Sequence, residues 1–176
     1  FWAGRLDRQK RIDLAFAIAR ALPEADLRMW GDSVMGGPPL PEDLPDNLIL
    51  EGTYENFSDL PLGDADLWLY TSAWDGVPSM LLEVGMTGVP IIGSRVGGTG
   101  EVLRPGMGRT LPPEATVEDW TRAIREMLAD PETARHEALA LRDALLHERT
   151  AEAHAKVVLG LPGCSPTSQD KTEPAE

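Results

Sequence analysis

Short apolar segments alternate with segments of helical periodicity, and this alternation constrains the fold more than any other feature of the chain. The strand-like segments are "FWAG" (1–4), "LRMWG" (27–31), "LILEG" (48–52), "LWLYT" (67–71) and "VPIIGS" (89–94). Between them, "RIDLAFAIARAL" (11–22) places Ile12, Ala15, Phe16, Ala19 and Leu22 at helical spacing, and "PSMLLEVGMT" (78–87) reads as a second helix. Strand and helix in repetition build βαβ units, so the expected fold is α/β, a parallel sheet flanked by helices rather than a bundle or a sandwich.

Local signals set the boundaries. Pro23 stops the first helix, and Pro78 is expected at the first position of the second, where a missing N–H costs nothing. Thr116 and Asp119 have the spacing of a capping box opening "VEDWTRAIREML" (117–128), and one long helical pattern runs from about Pro131 to Leu159. "DSVMGGPPLPEDLPDN" (32–47) is loop by composition, and "GGTGEVL" (97–103) turns the chain. Its glycine pair lacks the dinucleotide-binding fingerprint at the first strand, which argues against NAD. Residues 161–176 have the composition of a disordered tail, leaving 1–160 as one domain. Trp2, Trp30 and Trp68 lie on strands and are expected in the core.

A chain of 176 residues, 42% hydrophobic, can bury a single core without metal or disulfide staples. Its one cysteine, Cys164, excludes a disulfide framework and favours a reducing, cytoplasmic compartment. No apolar run approaches the roughly 20 residues of a membrane span. The net charge of −13 is unevenly spread: residues 1–30 carry +2, residues 31–101 carry −11 and residues 102–176 carry −4. Such a chain does not attract nucleic acid or an anionic membrane, so any anionic ligand needs a local cationic site. "GRLDRQKR" supplies one, with Arg5, Arg8, Lys10 and Arg11 close together.

Open parallel sheets bind ligands at the carboxyl ends of their strands. After the first strand come Arg5 and Lys10; after "LWLYT" comes "SAWDGVPSMLLE", in which Asp75 and Glu83 flank a helix start. The free N–H groups expected there, on Ser79, Met80 and Leu81, together with the positive helix end, favour a phosphate. Glu83, about a turn and a half into the helix, is placed to accept hydrogen bonds from ribose hydroxyls, with Asp75 nearer a sugar. His136, His147 and His154 lie on helical patterns without a metal-like partner cluster.

"GRLDRQKR", "DGVPSMLLE" and "GVPIIGSRVGGTGE" together resemble the nucleotide-sugar-binding domain of retaining, glycogen-synthase-like group 1 glycosyltransferases of GT-B fold, over residues 1 to about 101. The resemblance implies a Rossmann-like domain, one half of that fold, and transfer of a sugar from a UDP or GDP sugar to an acceptor in carbohydrate biosynthesis. It assigns Arg5 and Lys10 to the donor diphosphate, Asp75 to the transferred sugar and Glu83 to the ribose. Backbone amides from Gly76 and Val77 through Pro78, Ser79, Met80 and Leu81 line the sugar and phosphates, and Tyr54 lies where the base packs. It implies no cofactor and no metal. It also implies an acceptor-binding N-terminal domain that this sequence lacks, so that the chain alone is expected to be inactive. Full activity would be cytoplasmic, or at the cytoplasmic face of a membrane through that domain. Asp75 stands where the family more often has Glu, Arg11 where Gly follows the Lys, and Gly85 inside the helix is expected to cost about 1 kcal/mol against Ala. A non-catalytic nucleotide or nucleotide-sugar binding module and a sugar-nucleotide epimerase of the same fold are the alternatives.

Overall fold

Every strand-like segment read from the sequence forms a parallel strand in the structure, a computed structural model that describes residues 1–33 and 40–161. Strands β1 (Trp2–Ala3), β2 (Leu27–Trp30) and β3 (Leu48–Gly52) form one three-stranded sheet in the order β1-β2-β3. Strands β4 (Trp68–Tyr70), β5 (Ile91–Ser94) and β6 (Arg109–Leu111) form another in the order β4-β5-β6. The two meet at β1 and β4, where Leu69 N–H donates to the Phe1 carbonyl at 2.8 Å. Strands therefore cross the molecule as β3-β2-β1-β4-β5-β6, and the direction of strand addition reverses between β1 and β4. In a doubly wound sheet that reversal opens a crevice at the carboxyl ends of the two central strands.

Side chains of successive strand residues go to opposite faces. Trp2, Met29, Leu69 and Ile92 join one core with α1 (Ile12–Ala21) and α4 (Val117–Ala129). Ala3, Trp30, Trp68, Tyr70 and Ile91 join the other with α2 (Ser79–Thr87) and α5 (Pro131–Glu148). The three expected core tryptophans, Trp2, Trp30 and Trp68, are all buried. Helix α1 ends where Asn47 Nδ2 donates to the carbonyls of Ala19, Leu22 and Ala25 at 3.0, 2.8 and 2.7 Å, collecting acceptors that the helix end leaves open. The Thr116–Asp119 capping box at α4 forms as its spacing predicts, with Asp119 N–H donating to Thr116 Oγ1 at 3.2 Å.

Four features differ from the sequence reading. The pattern from Pro131 to Leu159 is two helices, α5 and α6 (Ala151–Leu159), separated where Thr150 takes up an extended backbone and accepts from Ala153 N–H. "GGTGEVL" contains a short helix, α3 (Thr99–Val102), and strand β6 follows it unforeseen. Pro78 is the N-cap of α2 rather than its first residue; its ψ of 121° keeps it extended. Gly85 is a packing device more than a weak point: a Cβ there would lie 2.7 Å from Leu145 Cδ1 and 3.0 Å from Leu141 Cδ2, so the missing side chain lets α2 lie against α5. The expected tail, from residue 162 onward and including Cys164, lies outside the described residues, as do residues 34–39 of the expected loop.

Candidate functional site

Loops that leave β1 and β4 are stitched together at the reversal point by hydrogen bonds in which Gln9 is central. Its carbonyl accepts from Ala73 N–H at 2.8 Å, its Nε2 donates to the Trp74 carbonyl at 3.1 Å, and its Oε1 accepts from Arg5 Nη2 at 2.8 Å. A second chain starts in the core: Trp2 Nε1 donates to Thr71 Oγ1 at 3.0 Å, and Thr71 Oγ1 donates to the Lys10 carbonyl at 2.6 Å. Lys10 N–H also donates to Asp7 Oδ1 at 2.9 Å. With its backbone fixed on both sides, Lys10 is aimed across the gap.

There Lys10 meets Asp75. Nζ lies 2.8 Å from Asp75 Oδ2, with each side chain 20% exposed, and the same oxygen accepts from Tyr70 Oη at 2.7 Å. Among the described residues, Asp75 Oδ1 accepts only the N–H of Gly76, at 3.0 Å. Burial alone would raise the Asp75 pKa, but hydrogen bonds from Lys10, Tyr70 and Gly76 and the Lys10 charge outweigh it and hold the carboxyl below the ordinary range. Burial, reinforced by the Asp75 carboxylate, pushes the Tyr70 hydroxyl well above its usual value, so it remains a donor. Lys10 Nζ is also 5.5 Å from the Tyr70 ring centroid, within cation–π range.

Beyond Asp75, Gly76, Val77 and Ser79 are exposed while Pro78 and Leu81 are buried. The first turn of α2 leaves the Ser79 and Met80 N–H groups at its open end. Leu81 does not share that role, because its N–H donates to the Pro78 carbonyl at 3.1 Å and its side chain is in the core. Glu83 is exposed on α2, bordering a groove of about 260 Å³ with Leu82, Met86 and Leu145. Tyr54, on the loop after β3, is half-buried against the same core; burial first, and then the negative charge of Glu83, raise its pKa. Tyr54 and Glu83 are thus electrostatic neighbours. Arg5, 60% exposed, stands beside Asp7 Oδ2 at 3.3 Å.

Arg5, Lys10, Tyr54 and Asp75 therefore lie on loops that follow β1, β3 and β4, and Gly76 to Met80 lead from Asp75 into α2. The structure goes further in pairing Lys10 directly with Asp75, which the sequence assigned to different parts of a ligand. Several supporting residues were not foreseen: Gln9, Thr71, Tyr70 and the glycine pair. Gly98 N–H donates to the Gly76 carbonyl at 2.8 Å, so the turn after β5 props the Asp75 loop. The usable signal was position, since Gln9 lies on the loop after β1, Tyr70 and Thr71 end or follow β4, and the glycine pair follows β5. A cavity of about 480 Å³, lined by Arg8, Arg11, Ile12, Phe16, Pro41 and Ala73, adjoins the site on the α1 side. Another, about 410 Å³, lies at the opposite edge, among segments that precede β2 and β4, and belongs to none of this. Among the described residues, none of the three histidines joins a cluster able to hold a metal, and no helix is long and apolar enough to cross a membrane.

The family model described as glycosyl transferases group 1 matches residues 1–130. No curated protein sequence matches the chain. Among solved structures, TarM superposes with a TM-score of 0.75 at 17% identity, over 89% of this chain and 33% of its own. HepE from Anabaena, solved in complex with UDP, superposes with a TM-score of 0.70 at 17% identity, over 89% of this chain and 49% of its own. The C-terminal domain of LpcC, a glycosyl transferase group 1 family protein from Francisella tularensis, gives a TM-score of 0.69 at 14% identity, with 85% of each chain covered. The chain thus spans less than half the length of TarM and HepE.

Proposed function

We propose, from the premise that this chain belongs to the glycosyl transferases group 1 family, that it is the donor-binding domain of a retaining glycosyltransferase. The observation that carries the reading is the meeting of Lys10 with Asp75 beside the open end of α2, at the reversal point of a doubly wound sheet. In this reading the donor is a nucleoside diphosphate sugar. Its diphosphate lies between the Arg5 and Lys10 cations and the Ser79 and Met80 amides, whose positive helix end favours an anion. Its sugar lies along Asp75, Gly76 and Val77, its ribose at Glu83 and its base against Tyr54. Pro78 and Leu81 hold the helix start from beneath. HepE, solved with UDP, makes uridine the first base to try.

The chemistry follows from charge. As the bond from the anomeric carbon to the donor phosphate breaks, negative charge grows on the departing diphosphate, and Arg5 and Lys10 supply the positive charge that meets it. We propose that these cations and amides meet that charge without a metal or other cofactor. The acceptor is brought by a second domain, a reading supported by the length of TarM and HepE, which superpose on this chain and are about two to three times as long. Orientation of two reactants accounts for roughly 7–11 kcal/mol of barrier, so the isolated chain binds donor but transfers little. A cytoplasmic setting accords with a single cysteine in the sequence.

A thermal-shift screen of UDP, GDP, ADP and their glucose conjugates tests this reading, followed by a radiolabelled sugar-transfer assay with and without an acceptor-binding domain from a family member. A shift with one base family and transfer only with the added domain are expected. Absence of any shift would sink the donor-site reading; sugar transfer by the chain alone would overturn the need for a second domain.

A further inference from the structure

Tyr70 ends β4 and is almost fully buried, its ring lying over Gly93 of β5, where even a Cβ would come within 3.3 Å of Tyr70 Cδ1. Its hydroxyl is the part that reaches the site, donating to Asp75 Oδ2 at 2.7 Å. Asp75 itself stands on a loop whose neighbours Trp74, Gly76 and Val77 are exposed, so its carboxylate has few partners to hold it. Lys10 is one, but it is a flexible side chain with a charge that a diphosphate also attracts. The Gly76 N–H is another, but it belongs to the same exposed loop. Tyr70 holds the carboxylate from outside that loop, and a ring locked in the core cannot follow the ligand.

We propose that Tyr70 is the positioning residue of the site: by holding Oδ2 of Asp75 it keeps Oδ1 turned to the ligand, and so decides whether the sugar of a nucleotide sugar is recognised once Lys10 engages the diphosphate. The inference rests on the donor-site reading above and adds to it a residue that touches no substrate. Among the described residues Oδ1 carries only the Gly76 N–H, and a carboxylate oxygen can accept two donors, which leaves a place for a sugar hydroxyl. The low carboxyl pKa of Asp75 agrees, since an ionised acceptor is what a hydroxyl donor needs.

The test is calorimetric titration of the full chain with UDP and with UDP-glucose, comparing parent and Tyr70→Phe, a change that removes one oxygen and leaves the buried ring. Tyr70→Phe should lower UDP-glucose affinity about tenfold relative to UDP, the size of one hydrogen bond to a charged group. The acid limb of UDP-glucose binding should also move to higher pH, because the carboxyl has lost a donor that kept it ionised. In an Asp75→Asn background the same change should cost nothing further. An unchanged ratio with an unmoved acid limb, while the parent binds both ligands, would overturn the role of Tyr70 alone. If the parent binds neither, the donor-site reading falls and this inference with it.

Discussion

The carbonyl oxygen of Asp75 occupies the space beside Gly97 so closely that a Cβ on Gly97 would lie 1.8 Å from it. Gly97 also has φ of +49°, a conformation that disfavours a side chain. Backbone cannot step aside as a side chain can. Gly97→Ala should therefore push the Asp75 loop away from Lys10, lowering stability by about 2 kcal/mol or more and weakening donor binding. Gly100, in α3 with open space around its Cα, is the control: Gly100→Ala should be neutral or stabilising by up to about 1 kcal/mol. Urea denaturation of both variants checks this; similar losses in the two would show that the contact with Asp75 is not what matters.

Gly85 gives a second case in which contact outweighs propensity. Alanine there would gain about 1 kcal/mol as a helix former but would press on Leu145 Cδ1 and Leu141 Cδ2, side-chain ends that can partly yield. We expect Gly85→Ala to destabilise by about 1 kcal/mol, and Leu145→Ala, costly alone, to cost less in the Gly85→Ala background. A double-mutant cycle measures that coupling, and strict additivity would contradict the packing account.

The way the sequence met the structure is clearest at the edges. Strands β2 to β5 were legible because "LRMW", "LILEG", "WLY" and "IIGS" are apolar or flanked by turn residues. Strand β6, Arg109–Leu111, was not: two of its three residues are polar, among the described residues it pairs only with β5, and all three are half-buried. The break between α5 and α6 was hidden because Arg149 and Thr150 include neither Gly nor Pro, and the threonine cap there has no acidic partner three residues on to advertise it. Arg5, Lys10 and Asp75 were legible as charged residues following strands, and Glu83 as an acid on the helix after one. The Lys10–Asp75 pair was not, because residues 65 positions apart meet only once β1 and β4 lie side by side; Tyr70, only five positions from Asp75, was read simply as part of a strand, which hides its hydroxyl contact.

Asp75 also predicts an acid-linked loss of stability. Its folded-state pKa lies below that of the unfolded chain, so its contribution is present above the ordinary Asp value of about 3.9 and is lost as pH falls through the lower folded value. The parent should therefore lose stability more steeply than Asp75→Asn as pH falls from about 5 towards 3. Thermal unfolding across that range checks it, and parallel curves for the two proteins would mean that the Lys10–Asp75 pair contributes nothing to folding.

The central claim is that the cationic loop after β1 meets a diphosphate, and Arg5 offers its cleanest test because its side chain is 60% exposed and its removal spares the core. Calorimetric titration of the full chain with UDP and with uridine, on parent and Arg5→Ala, separates phosphate contacts from everything else. The account predicts that Arg5→Ala weakens UDP by about 1.5–3 kcal/mol, the range for a hydrogen bond to a charged group, and leaves uridine unchanged. Equal losses for UDP and uridine, or no loss for either, would place the diphosphate elsewhere and contradict the account.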